Sequence, residues 1–131
     1  MPNYRVSCEK ANDLPREAIK VPEWPLLDDE GKPLLDANGD AQCTWYVRSM
    51  TLGERKEFDA RIMYLKDGKT EVDQKVVRSE LLIRALCDES GQRIFGDEDI
   101  PLLEGKCGET CTRIFLAAQR LSGLDKTEKN S

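Results

Sequence analysis

The amino-acid sequence predicts a mainly α protein of about four helices with a small N-terminal β-hairpin or meander, an α+β fold. Three observations lead there. After Thr51 apolar residues recur at helical spacing through most of the chain. Residues 43–49 are rich in β-branched and aromatic side chains, as a strand requires. Two clusters of Asp, Asn and Gly break the stretch before that strand, as turns do. The chain has 131 residues, and at roughly 100–200 residues per domain that is one domain with tails.

The first twenty residues are polar. Asp13 and Pro15 suit the start of a short helical turn over 13–20, and so short a helix is unstable alone, so 1–20 reads as a mobile arm. A single domain is expected over 21–124, β-rich over 21–50 and helical over 51–124. Val21-Pro22-Glu23-Trp24-Pro25 is extended, because each proline pushes its predecessor out of the helical region. Asp28-Asp29-Glu30-Gly31 and Asp36-Ala37-Asn38-Gly39-Asp40 are turns, and Asn-Gly is a strong hairpin signal. The strand 43–49 follows.

Thr51-Leu52-Gly53-Glu54 fits a capping box, and Phe58, Ile62 and Leu65 then line one face of a helix running to Lys66, stopped by Asp67-Gly68. A second helix is expected over 72–87. Its Val76, Val77, Leu81, Leu82, Ile83 and Leu86 cover more than one face, so it is either central or bound to a partner. Asp97 is expected to cap a short third helix, with Pro101 in its first turn and Leu102 and Leu103 inward. The last helix spans about 108–122, with Cys111, Ile114, Phe115, Ala118 and Leu121 as its stripe and Gly123 as a left-handed stop. The polar residues 125–131 read as a disordered tail. We read no internal repeat and no low-complexity tract.

Composition narrows function. Lys and Arg total 20 against 25 Asp and Glu, a net charge of −5. Such an acidic chain is repelled by nucleic acid and by anionic membranes, so neither is an expected partner. The sequence holds no histidine, which excludes a Ser-His-Asp triad, a Cys-His pair and a histidine general base. No apolar run is long enough to span a membrane and the N-terminus lacks a secretory h-region, so a cytoplasmic protein is expected. Five cysteines at irregular spacing do not make a disulfide framework.

The candidate chemistries are weak. Asp36 to Asp40 begins like a calcium loop, but Ala41 stands where glycine and Val47 where the bidentate glutamate belongs, so a hairpin turn is the better reading. Cys107 and Cys111 lie one turn apart at a helix start and lack further ligands for zinc; burial of small thiols explains them. No catalytic residue, metal site or cofactor site is expected. Trp24, outside any apolar period and beside Leu26 and Leu27, is the candidate binding anchor, joined by Val76 and Ile83 on the over-apolar helix.

Four segments, in order, carry a resemblance: Val21-Pro22-Glu23-Trp24; Trp45-Tyr46-Val47-Arg48-Ser49-Met50-Thr51-Leu52-Gly53-Glu54-Arg55; Arg84-Ala85-Leu86-Cys87-Asp88-Glu89-Ser90-Gly91-Gln92-Arg93-Ile94-Phe95; and Ala117-Ala118-Gln119-Arg120-Leu121-Ser122-Gly123-Leu124. Together they resemble the tail assembly chaperones of phages with long noncontractile tails, over about residues 21–124. One departure stands out: Pro25 to Thr44 intervene where the family pattern runs almost directly into the strand.

The resemblance implies a non-enzymatic protein of the infected or lysogenic bacterium's cytoplasm. It implies binding to the long helical tape measure protein, recruitment of major tail protein, self-association, and departure before the virion is finished. It also implies a longer frameshifted product, and Glu128-Lys129-Asn130 can be spelled with an A-AAA-AAC slip site. The alternatives are a small redox or regulatory protein using Cys107 and Cys111, and another virion part such as a head–tail connector.

Overall fold

The computed structural model describes residues 1–124. The element order is α1 (Tyr4–Lys10), β1 (Arg16–Lys20), β2 (Thr44–Arg48), α2 (Leu52–Ile62), β3 (Met63–Lys66), β4 (Lys69–Val72), α3 (Val77–Ala85), β5 (Leu86–Cys87), a 3-10 turn (Asp97–Asp99), α4 (Ile100–Glu104) and α5 (Gly108–Leu121). The expectation of a mainly α chain with about four helices is therefore corrected. Among the described residues there are five α-helices and five strands, the strands in two small antiparallel sheets, an α+β mix.

The larger sheet has the order β1-β2-β5. β2 is the strand read at 43–49, and it is central. β1 pairs with it from Arg16 opposite Arg48 to Lys20 opposite Thr44, and β5 adds Tyr46 opposite Cys87 and Val47 opposite Leu86. The short helix expected over 13–20 is absent; a strand stands there, and the helix lies earlier, capped by Asn3, whose side chain accepts from the Val6 N–H. Nothing local in Arg16-Glu17-Ala18-Ile19-Lys20 announces a strand. Its hydrogen-bond partner is supplied from about thirty residues away, and pairing overrides local propensity.

The helix expected to run to Lys66 stops at Ile62. Met63 to Val72 instead form a hairpin through Asp67-Gly68, both at positive φ (54° and 79°), a type I′ turn. Phe58 and Ile62 are buried by helical spacing. Leu65 fits the same spacing by coincidence and is exposed. β4 takes Val72 from the expected second helix, a turn in which Asp73 accepts from the Lys75 and Val76 N–H groups takes the residues up to Val76, and β5 takes its end, so α3 is nine residues long. It is also the centre of the molecule: Leu81, Ile83 and Ala85 are fully buried, and α2, α4 and α5 all pack around it. Of the two alternatives for the over-apolar helix, the central one holds. α5 shows the expected stripe, with Cys111, Ile114, Phe115 and Ala118 buried, and Gly123 ends it at φ 73°. In α4 Leu103 points inward as expected, but Leu102 is exposed; Asp97 pairs with Arg61 rather than capping, and Asp99 accepts from the Gly96 N–H.

The segment between β1 and β2 contains a repeat that the sequence reading missed. Pro25-Leu26-Leu27-Asp28-Asp29-Glu30-Gly31-Lys32 is followed by Pro33-Leu34-Leu35-Asp36-Ala37-Asn38-Gly39-Asp40, identical at five of eight positions. Each unit makes the same turn. The aspartate Oδ1 accepts the N–H groups two and four residues on, and the glycine sits at positive φ, 84° and 81°. Asp88-Glu89-Ser90-Gly91-Gln92 repeats the geometry a third time. Three further bonds close a ring across the two units: Leu26 N–H to the Gln42 carbonyl (2.7 Å), Leu34 N–H to Leu26 (2.9 Å) and Gln42 N–H to Leu34 (2.8 Å). The tail expected over 125–131, with its slip site, lies outside the described residues.

Candidate partner-binding surface

The segments that carry the resemblance meet in the interior. Thr51 accepts from the Glu54 N–H (3.1 Å) and Glu54 accepts from the Thr51 N–H (3.0 Å), the predicted capping box. The same Glu54 carboxylate accepts two bonds from Arg48 at the end of β2, 2.8 and 2.9 Å. Arg93 lies 3.7 Å away and donates through Nε to the carbonyls of Ile83 and Phe95. Burial alone pushes the Glu54 pKa up, but the Arg48 and Thr51 hydrogen bonds outweigh it and hold the group below its ordinary value. β2, α2, α3 and the link after β5 are thus tied at one carboxylate.

A second tie fixes the segment before the repeat. Glu23 accepts from the Thr110 hydroxyl (2.7 Å) and from Arg113 (2.9 Å), both on α5. These bonds hold its pKa down to about 2, the Arg113 contact contributing most. Trp24, next along, packs edge-on to Trp45 with ring centroids 5.4 Å apart, and its carbonyl accepts from the Trp45 indole N–H (2.9 Å). Arg84 is fully buried in α3 and donates to Glu80 (2.7 Å) and Glu57 (3.2 Å).

The five residues singled out for binding are placed as follows. Trp24 is half-buried against the core, Leu26 is half-buried, and Leu27 is 51% exposed. These three lie on one segment. Val76, half-buried, precedes α3, and Ile83 inside α3 is fully buried, so the fold itself covers the second apolar face of that helix. Leu26 lines a groove of about 530 Å³ between the repeat and the outer face of the sheet, with Ala41, Tyr46, Cys87 and Ile94. The Arg16 guanidinium lies over the Tyr46 ring at 5.8 Å on the same sheet.

Two exposed apolar features were missed. Leu34 and Leu35 join Leu27 at the surface of the repeat; the doubled Pro-Leu-Leu-Asp would have shown them. On the hairpin, alternation puts Met63, Leu65, Thr70 and Val72 on one face and Tyr64, Lys66, Lys69 and Glu71 on the other. Every residue of both strands is exposed. The Asp67-Gly68 pair between alternating residues was the available signal.

The thiols differ. Cys107 is exposed at the start of α5, and hydrogen bonds from Thr110 and Glu109 lower its pKa; Cys111 is buried, and desolvation raises its pKa. Among the described residues no group of three or more His, Cys, Asp or Glu could hold a metal ion. The Asp36 carboxylate of the calcium-like stretch is committed to its own turn. No helix among the described residues is long and apolar enough to cross a membrane.

No curated protein and no solved structure matches the chain. The sequence model of one family matches residues 6–131, nearly the whole chain, and the protein belongs to that family, the phage tail assembly chaperones.

Proposed function

We propose that this chaperone binds the tape measure protein through the apolar surface of the repeat and its groove, keeps that client dispersed, and helps recruit major tail protein. It acts in the cytoplasm of the host bacterium, self-associates there, and leaves before the virion is complete. The observation that carries the reading is the set of exposed leucines, Leu27, Leu34 and Leu35, beside the Leu26 groove in a chain of this family. Uncovered leucines held on a rigid turn scaffold suit the apolar stripe of a long helix. The net charge of −5 keeps such a complex from coalescing.

Co-expression tests this. Tape measure protein produced with the wild-type chaperone is expected in the soluble fraction and bound to it. Leu27→Asp with Leu35→Asp, both exposed, is expected to abolish that solubility while leaving the chaperone's own melting temperature within about 2 °C, the small effect usual for surface changes. A wild type that never binds tape measure protein, or a double variant that protects it equally well, overturns the assignment. Mass spectrometry of purified virions is expected to lack the protein.

A further inference from the structure

We propose that the free edge of β4 joins the same edge of a second copy, antiparallel about a twofold axis at Thr70, so that Lys69 faces Glu71 of the partner subunit. This deepens the self-association stated above by naming its surface and register. β3 and β4 form a sheet of two strands only, and every residue in it is exposed. A two-stranded hairpin alone is marginal in water, and an uncovered edge is a template for another strand. The free groups can be identified. In a two-residue hairpin the residues flanking the turn exchange both hydrogen bonds, so Lys69 and Glu71 bond inward to Lys66 and Tyr64. The N–H and C=O of Thr70 and Val72 therefore point outward.

Charge selects the occupant and the register. With the axis at Thr70, the two Thr70 residues exchange hydrogen bonds and two Lys69–Glu71 pairs flank them. Moving the axis to Glu71 pairs Thr70 with the partner's Val72 but sets glutamate against glutamate; moving it to Lys69 sets Thr70 against the turn glycine and lysine against lysine. Only the Thr70 axis gives opposite charges on both sides. The Glu71 carboxylate is already oriented across the hairpin by the Tyr64 hydroxyl (3.2 Å). Paired residues point to the same side of a sheet. Joining the edges therefore merges both apolar faces, Met63, Leu65, Thr70 and Val72 from each copy, into one surface.

The full chain is tested by sedimentation velocity over a concentration series. Wild type is expected to self-associate. Lys69→Glu and Glu71→Lys each replace two attractive pairs with two repulsive ones, and each is expected to weaken association about tenfold or more. The combined K69E/E71K variant restores both pairs and is expected to recover wild-type association. Thr70→Pro removes the outward N–H, leaves the β3 ladder bonded, and is expected to abolish association with a melting curve close to wild type. A monomeric wild type, single reversals without effect, or a swap that fails to rescue overturns the proposal. Tape measure solubility in co-expression is scored separately, so loss of client binding is distinguished from loss of this interface.

Discussion

Replacing Glu54 with Ala tests whether one carboxylate ties the two halves of the fold. The side chain is 15% exposed and its Arg48 partner 7%, so the pair is largely out of water. Removing the carboxylate leaves the Arg48 guanidinium buried with its Nε already lacking a hydrogen bond, and uncovers the Thr51 N–H that closed the capping box. Breaking a buried pair from one side costs about 3–5 kcal/mol, because the charge left behind has no compensation. At about 2.1 cal/mol/K per residue, a 131-residue chain unfolds with an entropy of about 0.28 kcal/mol/K. The melting temperature is therefore expected to fall by roughly 11–18 °C. Glu54→Gln keeps the capping bond and the Arg48 Nη1 bond and loses the charge and the acceptor for Arg48 Nη2, so it should fall less. The assay is thermal unfolding followed by circular dichroism, for Glu54→Ala, Arg48→Met and the double variant. Their coupling energy should exceed about 1 kcal/mol, since the two side chains are in contact. A drop below about 4 °C for Glu54→Ala, or strict additivity in the cycle, would refute the reasoning.

Three further outcomes follow. Ile83→Asp places an unpaired carboxylate where the side chain is fully buried, so the domain should unfold, measured as loss of the near-ultraviolet dichroism signal. The Glu23 pKa lies at about 2 against an ordinary 4.5; folding favours its charged form, so its contribution is full above 4.5 and lost as pH falls towards 2. Stability should thus decline over that window in wild type and less steeply in Glu23→Gln, measured by urea midpoints at each pH. Alkylation of the native protein should modify the exposed Cys8 and Cys107 and leave buried Cys87 and Cys111 until unfolding, read by mass spectrometry; equal rates at Cys107, Cys87 and Cys111 would contradict the burial.

Elements whose cause is local were legible in the sequence. Thr51 and Glu54 are three residues apart, and their capping box is present. Gly123 stops α5 because a helix needs a left-handed residue there. β2 announces itself by composition. The misreadings share a different origin. β1 exists because β2 supplies its bonds, and α2 is cut short because Asp67-Gly68 folds Met63 to Val72 back on itself, against a leucine that matched the helical period. The duplicated octad was readable, and was lost by treating its two turns as separate punctuation. For the site, Trp24 was singled out because it lies outside any strong period, beside Leu26 and Leu27; the structure sets it half-buried, edge-on to Trp45. Ile83 was chosen from an excess of apolar surface that the α2, α4 and α5 helices cover.

The residues that carry the family resemblance are those that hold the scaffold. Arg48, Glu54 and Arg93 come from separate segments and meet around one carboxylate; Glu23 pins its segment to α5, and Gly91 turns the chain after β5. A chain can therefore be recognised as a tail assembly chaperone largely by what keeps it folded, with the groove residues Tyr46, Cys87 and Ile94 lying in the same segments. The exposed leucines sit elsewhere: Leu27, Leu34 and Leu35 on the repeat between Trp24 and β2, and Leu65 on the hairpin between α2 and α3. Both segments are closed on themselves by turns and by backbone bonds, so their side chains can change without disturbing the buried ion pairs. The scaffold is specified by buried charge and capping geometry, whereas the exposed side chains on these turns are not constrained by the core and are free to vary.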